Sequence, residues 1–285
     1  MIVVITGPTG VGKTHLSIKL AHIYNAIIVN ADSMQVYKDL NIGTAKIKEE
    51  EKEGVPHLLF DIKDPKDMYT VYDYQRDVRK ILEDNKDKNI ILVGGTGLYL
   101  KAALYDYEFS KEDDNTNSFD DLSNEELYAL AKEKDNNIDI HINNRKRLVR
   151  FLNKESSSNN GNNLLYDAIF IGLTTDRETL YERINLRVDK MFEEGLLDEV
   201  KSLYDKKIYG KSILTGIGYK ELYDYFDGKI SLDDAKELIK KRRRPYAKRQ
   251  YTWFNNQMNI KWFNVNFNDF NQTIKEIKDY IDKHS

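Results

Sequence analysis

The sequence predicts an α/β fold, in which a parallel sheet of the P-loop type is flanked by helices and carries a small helical insertion domain. Short apolar runs at residues 2–5, 26–29 and 89–93 alternate with helical patterns, as in strand–helix–strand units. The first run continues directly into a glycine-rich turn that opens a helix. Residues 167–173 and 259–265 predict two more strands.

The glycine-rich turn at residues 7–14 reads GPTGVGKT and matches the phosphate-binding pattern GxxxxGK[ST]. Glycines let successive backbone N–H groups point inward, and the following helix directs the positive end of its dipole at the same place. Lys13 adds a full charge, and the Thr14 hydroxyl suits a Mg²⁺ that bridges two phosphate groups. The predicted diphosphate-binding residues are Gly7, Pro8, Thr9, Gly10, Val11, Gly12, Lys13 and Thr14. The pattern leaves the phosphate compound open, with ATP or GTP as the default.

Composition excludes several classes of function. The 285 residues contain no cysteine, which rules out thiolate catalysis and cysteine-based metal sites, and the five histidines fall in no metal-ligand spacing. No apolar run approaches 18 residues, so we expect a soluble, cytoplasmic protein without a membrane partner. The net charge of −3 provides no global attraction for nucleic acid, so any such partner must bind local patches.

Charge is segregated along the chain. Residues 110–139 hold ten acidic and three basic residues, whereas residues 240–249 hold seven basic residues in ten. The basic run is either a solvated helix face or a nucleic-acid contact. We interpret residues 105–164 as an insertion contacting RNA, with a flexible polar linker at 156–163, and residues 1–104 with 165–285 as the catalytic core.

Several polar residues are predicted at the carboxyl edge of the sheet, where parallel strands end together. Asp32 follows the second strand, and Thr96 lies in the glycine-rich turn GGTGLY after the third. A helix over residues 177–192 places Arg183 and Arg187 on one face. Thr96 is either a functional hydroxyl or a helix N-cap. No Asp ends the third strand, and Asp61 is either a substitute metal-orienting carboxylate or an ordinary surface residue.

Separate blocks of the sequence resemble one family, the tRNA dimethylallyltransferases (tRNA isopentenyltransferases). The blocks are GPTGVGKT at 7–14, ADSMQVY at 31–37, IGTAK at 42–46, GVPH at 54–57, GGTGLY at 94–99, RVDKM at 187–191 and YAKRQYTWF at 246–254. The resemblance spans nearly the whole chain, and DSMQVY followed by GGTGLY is highly specific.

The resemblance implies a reaction. The loop would bind the diphosphate of dimethylallyl diphosphate, and the prenyl group would pass to N6 of the adenosine 3′-adjacent to the anticodon of tRNA, releasing pyrophosphate with Mg²⁺ as cofactor. Asp32 is the candidate general base, because the N6 amine is a weak nucleophile. Lys13 and an arginine, Arg187 or else Arg183, would stabilise the leaving group, and the Thr96 hydroxyl would donate to the bridging oxygen. Asp32 and Thr96 should therefore converge on one bound diphosphate.

The resemblance also implies RNA contacts. Those around the extruded adenine are Asp32, Ser33, Met34 and Gln35. Those beside it are Lys146, Arg147, Leu148, Val149 and Arg150. Lys248 and Arg249 of the basic run would hold the anticodon stem. The sequence is silent on oligomeric state, and we expect a monomer.

The chain departs from the family pattern in a few places. Leu58 stands where a second His is usual, Asn144 replaces an Asp, and Pro245 is expected to kink or restart a helix. Two alternatives remain. One is a P-loop small-molecule kinase using ATP, in which Asp32 would deprotonate a hydroxyl. The other is a non-catalytic RNA-binding protein that keeps a relic loop.

Overall fold

A computed structural model describes residues 1–109, 119–153 and 160–285. They form two compact units. Residues Met1–Leu104 and Leu165–Ser285 make the core unit, and Tyr105–Leu164 make the insertion unit. No helix in the described ranges is long and apolar enough to cross a membrane.

The strands of the described residues are β1 (Ile2–Thr6), β2 (Ala26–Asn30), β3 (His57–Leu58), β4 (Asn89–Val93), β5 (Tyr105–Tyr107), β6 (Asn160–Leu164), β7 (Ala168–Thr174) and β8 (Lys261–Asn264). The α-helices are α1 (Lys13–Tyr24), α2 (Val71–Asp84), α3 (Gly97–Leu104), α4 (Asn124–Lys134), α5 (Arg145–Leu152), α6 (Arg177–Glu193), α7 (Leu196–Asp205), α8 (Lys211–Thr215), α9 (Tyr219–Phe226), α10 (Leu232–Gln257) and α11 (Phe270–His284).

The core unit is built on a six-stranded sheet in the order β3-β2-β4-β1-β7-β8. Every neighbouring pair is parallel, and β1 is central, with Val4 opposite Leu92 on one side and Phe170 on the other. Parallel neighbours require crossovers, so all six strands end at the same edge. The predicted α/β class with a parallel sheet and flanking helices is confirmed.

The core between the sheet and two helices follows from alternation along the strands. Val3 and Ile5 of β1 share one face, and both are fully buried. They join a hydrophobic cluster to which α1 contributes Leu16 and Leu20 and α11 contributes Ile277 and Ile281. Each such side chain stabilises the fold by about 1.5–3 kcal/mol. This packing anchors α1, which begins at Lys13 near the end of the phosphate-binding loop.

Helix α10 differs from the sequence prediction. It runs from Leu232 to Gln257 and contains Pro245, so the predicted restart is wrong, whereas the predicted kink stays a prediction. An interior proline costs about 3 kcal/mol, because one backbone hydrogen bond is lost and the ring crowds the preceding turn. Arg243, Ala247 and Gln250 on either side of Pro245 are buried, so tertiary packing holds the helix together across it.

The insertion unit is not wholly helical. It contains α4 and α5, whose Leu127, Ala131 and Leu148 form a small core, and the antiparallel pair β5–β6. The predicted flexible linker at 156–163 is wrong for residues 160–163, which belong to β6 and pair with β5. Residues 156–159 of that predicted linker lie outside the described residues.

Candidate active site

A cavity of about 940 Å³ opens in the core unit at the carboxyl edge of the sheet. Four segments form much of its wall: the loop between β1 and α1, the segment after β2, helix α6 and helix α10. The first two follow β1 and β2, which are separated in the sheet only by β4 and end at the same edge.

The shape of the β1–α1 loop depends on glycine at two positions. Gly7 has φ +136°, and a Cβ built on it would lie 2.4 Å from the carbonyl oxygen of Leu173. Gly12 has φ +93°, and its Cβ would lie 2.7 Å from the ring of Phe270. Both the left-handed backbone and the close packing exclude a side chain. The loop is therefore held against β7 and α11.

Lys13 bridges the interior of this loop. Its Nζ donates to the carbonyl oxygens of Gly7 at 2.9 Å and Pro8 at 2.8 Å. Burial, and then the positive charge of Arg187, lower the pKa of Lys13 to about 8, although the charge of Asp32 opposes the change. Lys13 thus remains a cation at neutral pH and lies within electrostatic reach of both side chains.

Helix α6 brings two arginines to the same loop. Arg183 Nε donates to the carbonyl oxygen of Gly10 at 2.9 Å, and its guanidinium lies 3.8 Å from the ring centroid of Phe267. Arg187 Nη1 donates to Thr9 Oγ1 at 3.3 Å. Burial, then the charge of Arg183, lowers the pKa of Arg187. Three cations around one loop make a site for a polyanion.

Asp32 begins a tight turn after β2. Its Oδ1 accepts from the N–H of Met34 at 2.9 Å, while its own N–H donates to Asn30 Oδ1 at 2.8 Å. These bonds fix the segment from Asp32 to Gln35, all four of whose residues line the cavity. The carboxylate therefore faces the space that Lys13 also lines.

Thr96 holds the Asp32 segment through hydrogen bonds to Ser33. Its Oγ1 accepts from the N–H of Ser33 at 3.0 Å and donates to Ser33 Oγ at 3.3 Å. Among the described residues that line the cavity are Ser33 and Gly94, but not Thr96. The hydroxyl is thus engaged by Ser33 rather than by the first N–H groups of α3. Its predicted donation to a bridging oxygen stays a prediction.

Helix α10 supplies a wall that sequence reasoning did not identify. Arg243, Tyr246 and Gln250 line the cavity, and Arg243 and Gln250 are buried. Gln250 Nε2 donates to the carbonyl oxygen of Gly95 at 2.9 Å, and Arg243 Nη2 donates to that of Gly43 at 2.7 Å. Burial lowers the pKa of Arg243 to about 10. The sequence signals were the basic run for Arg243 and Tyr246, and the block YAKRQYTWF for Tyr246 and Gln250.

The basic run at 240–249 is partly used inside the protein. Lys240 pairs with Asp189 at 3.0 Å, Arg242 with Glu221 at 2.5 Å, and Arg244 with Asn185. Lys241, Lys248 and Arg249 are exposed, and Arg249 also reaches the cavity wall. The run is therefore neither a uniform solvated face nor a uniform basic surface.

The predicted RNA contacts on α5 divide by burial. The side chains of Lys146, Arg147 and Arg150 are exposed. Leu148 is fully buried in the small core of the insertion unit, and Val149 packs against that core. The RNA contact predicted for Leu148 therefore does not extend to its side chain.

Within the described ranges, the acidic residues near the cavity do not form a metal-binding cluster. Asp61 Oδ1 accepts from the buried Lys46 Nζ at 2.5 Å, so this carboxylate forms an ion pair with Lys46. No group of three or more His, Cys, Asp or Glu residues in the described part of the chain could hold a metal ion. Thr14, which lines the cavity, is the remaining predicted protein ligand.

Comparison with known proteins gives consistent matches. A model of the IPP transferase family matches residues 35–257. The tRNA dimethylallyltransferase of Bacillus subtilis is 47% identical, covering 93% of this chain and 90% of its own, and that of Anoxybacillus flavithermus is 45% identical, covering 99% and 96%.

Solved structures agree. The full-length tRNA isopentenylpyrophosphate transferase of Bacillus halodurans superposes with a TM-score of 0.79 at 40% identity, covering 99% of this chain and 96% of that one. A eukaryotic dimethylallyltransferase acting on tRNA gives 0.82 at 28% identity, covering 100% of this chain and 80% of that one.

Proposed function

Because this chain belongs to the IPP transferase family, we propose that it transfers the dimethylallyl group of dimethylallyl diphosphate to N6 of the adenosine 3′-adjacent to the anticodon of tRNA, releasing pyrophosphate. The observation that carries the proposal is the shared cavity of Lys13, Arg183, Arg187 and Asp32. In support of the proposal, its lining residues combine three cations, which suit a polyanion, with a carboxylate, which suits a base.

The phosphate-binding loop and its three cations bind the diphosphate. Lys13 exchanges the carbonyl oxygens of Gly7 and Pro8 for phosphate oxygens, so hydrogen bonds to neutral acceptors are replaced by bonds to charged ones. As the C–O bond to the prenyl carbon breaks, negative charge grows on the departing pyrophosphate. Lys13, Arg187 and Arg183 are already in place to stabilise that charge, which is the larger part of such catalysis.

Asp32 acts on the other reactant. The adenine amine needs to lose a proton as its nitrogen bonds to carbon, and a carboxylate held by the Met34 N–H is a fixed acceptor for it. Thr96 holds the same segment through Ser33, so it supports Asp32 indirectly, through the neighbouring residue.

The loop offers Mg²⁺ one predicted protein ligand, the hydroxyl of Thr14. Mg²⁺ binds few protein oxygens and keeps water and substrate phosphates as ligands. The Thr14 hydroxyl lines the cavity beside Lys13, which is the donor set expected for a phosphate-bridging ion. When bound, Mg²⁺ would neutralise part of the diphosphate charge.

The RNA is recognised by residues around the cavity and on the insertion unit. The target base cannot react while stacked, so the adenosine enters the cavity as a flipped nucleotide beside Asp32, Ser33, Met34 and Gln35. The exposed cations Lys146, Arg147 and Arg150 of α5, and Lys248 and Arg249 of α10, contact phosphates.

A two-label assay tests the function. The protein is incubated with labelled dimethylallyl diphosphate and unmodified tRNA, and separately with labelled ATP and a pool of small metabolites. Label entering RNA at the adenosine after the anticodon is the expected result. Phosphorylated metabolites without RNA labelling would establish the kinase alternative, and RNA binding with neither product would establish a binding protein.

A further inference from the structure

Glu199, which does not line the cavity, binds the backbone of a loop that does. Glu199 on α7 accepts three backbone N–H groups of the segment before Lys46: Asn41 at 3.0 Å, Ile42 at 2.7 Å and Gly43 at 3.1 Å. Tyr219 Oη donates to the same carboxylate at 2.7 Å. We call residues 41–45 the clamped loop.

The clamped loop is also held from its other side. The carbonyl oxygen of Gly43 accepts from Arg243 Nη2 at 2.7 Å, and a Cβ on Gly43 would lie 2.6 Å from the ring of Tyr219. Burial, then the charge of Glu199, raises the pKa of Tyr219 far above its usual value, so its hydroxyl stays a donor. Each backbone group of Gly43 is therefore fixed by a side chain from another element.

The clamped loop in turn fixes Gln35. The Gln35 Nε2 donates to the carbonyl oxygens of Thr44 at 3.0 Å and Ala45 at 3.4 Å. Gln35, Thr44 and Ala45 line the cavity, whereas Glu199 does not. With its Nε2 committed to the loop, the amide presents its Oε1 as an acceptor at a set position, beside the turn that holds Asp32.

We infer that Glu199 is a positioning residue for RNA recognition, which acts through the clamped loop to orient the Gln35 amide against the acceptor nucleotide. This inference rests on the proposed function, because it assigns Gln35 to the RNA. None of the Glu199 hydrogen bonds reaches the phosphate-binding loop, so its effect is confined to one substrate.

Kinetics of Glu199→Gln separate this role from a purely structural one. The amide replaces one carboxylate oxygen by a donor that faces backbone N–H groups. We expect the KM for an anticodon stem-loop RNA to rise about tenfold, the effect of one lost charge-assisted hydrogen bond. The KM for dimethylallyl diphosphate should stay within about twofold. Asp198→Asn, which removes an exposed charge from the same helix, is the matched control and should change neither constant.

A double-mutant cycle identifies the route. If Glu199 acts through Gln35, then Glu199→Gln should add nothing to the RNA KM of Gln35→Leu. Additive effects, or equal changes in both substrate constants, would overturn the positioning role. Should Glu199→Gln not fold, Glu199→Asp, which shortens the side chain and keeps its charge, should show the same pattern at smaller size. Failure of the parent protein to label RNA at all would instead overturn the proposed function.

Discussion

Substitution of Gly94 by alanine tests whether the spacing of two strand ends controls activity. Gly94 follows β4 and packs against the backbone of Ala31, which follows β2. A Cβ on Gly94 would lie 2.1 Å from the carbonyl carbon and 2.2 Å from the carbonyl oxygen of Ala31, whereas ordinary contact begins near 3.4 Å. The two backbones must separate by about 1.3 Å, because neither neighbour is a flexible side-chain end.

This displacement would stretch the hydrogen bonds from Thr96 that hold the segment containing Asp32. Thr96 N–H donates to the carbonyl oxygen of Ala31 at 3.1 Å, and Ser33 N–H donates to Thr96 Oγ1 at 3.0 Å. Stretching either by about 1 Å breaks it. We expect kcat to fall about 100-fold, because misplacement of a catalytic group by about 1 Å has that effect. Overpacking should lower the free energy of unfolding by about 1–3 kcal/mol.

The assay compares kcat for RNA prenylation with thermal stability in two glycine variants. Gly228→Ala is the matched control, since Gly228 has φ +73° and no atom lies within 4 Å of the position that its Cβ would take. It should lose about 1–2 kcal/mol through backbone strain and keep full kcat. A Gly94→Ala protein that folds and retains kcat within twofold of the parent would refute the spacing argument.

Three further changes address the chemistry. Asp32→Asn keeps an oxygen for the Met34 N–H but removes the base. We expect kcat to fall about 100-fold while equilibrium binding of labelled dimethylallyl diphosphate is unchanged, and equal loss of both would remove Asp32 from the base role. Lys13 is a cation only below its pKa of about 8, so kcat/KM for dimethylallyl diphosphate should fall as pH rises through that value, and a flat profile from about pH 7 to 9.5 would contradict this. Arg187→Gln should raise the KM for the diphosphate by about tenfold or more. Because the Arg187 charge lowers the Lys13 pKa, the substitution should also move the fall of kcat/KM to higher pH. A fall at an unchanged pH would show that the two cations are not coupled.

The sequence predicts the framework of the core unit well, because its signals are local. Runs such as residues 2–5 and 89–93 are apolar and β-branched, and the structure has strands there. The two-residue strand β3 was missed, since His57 and Leu58 give no periodic pattern. Residues 160–163 looked like a linker because Asn and Gly are poor strand formers, and pairing with β5 overrides that preference.

The site was predictable only where a residue follows a strand or a glycine motif. Lys13 and Asp32 were found in this way, and both line the cavity. Arg243 and Gln250 were missed, because nothing local in or directly after a basic run distinguishes a buried side chain from a solvated one. Their burial is decided by packing against Gly43 and Gly95, which lie 200 and 155 residues earlier in the chain.

Helix α10 sets a dimension of the cavity. Arg243 binds the Gly43 carbonyl and Gln250 binds the Gly95 carbonyl, seven residues and nearly two full turns apart on one helix. At 1.5 Å per residue, the two anchor points are about 10.5 Å apart along the axis. The helix therefore sets the separation of the two loops, since both anchors lie on one continuous helix that includes Pro245. Inserting a single residue between the anchors would lengthen it by about 1.5 Å and turn one anchor by about 100°, releasing one of the two loops.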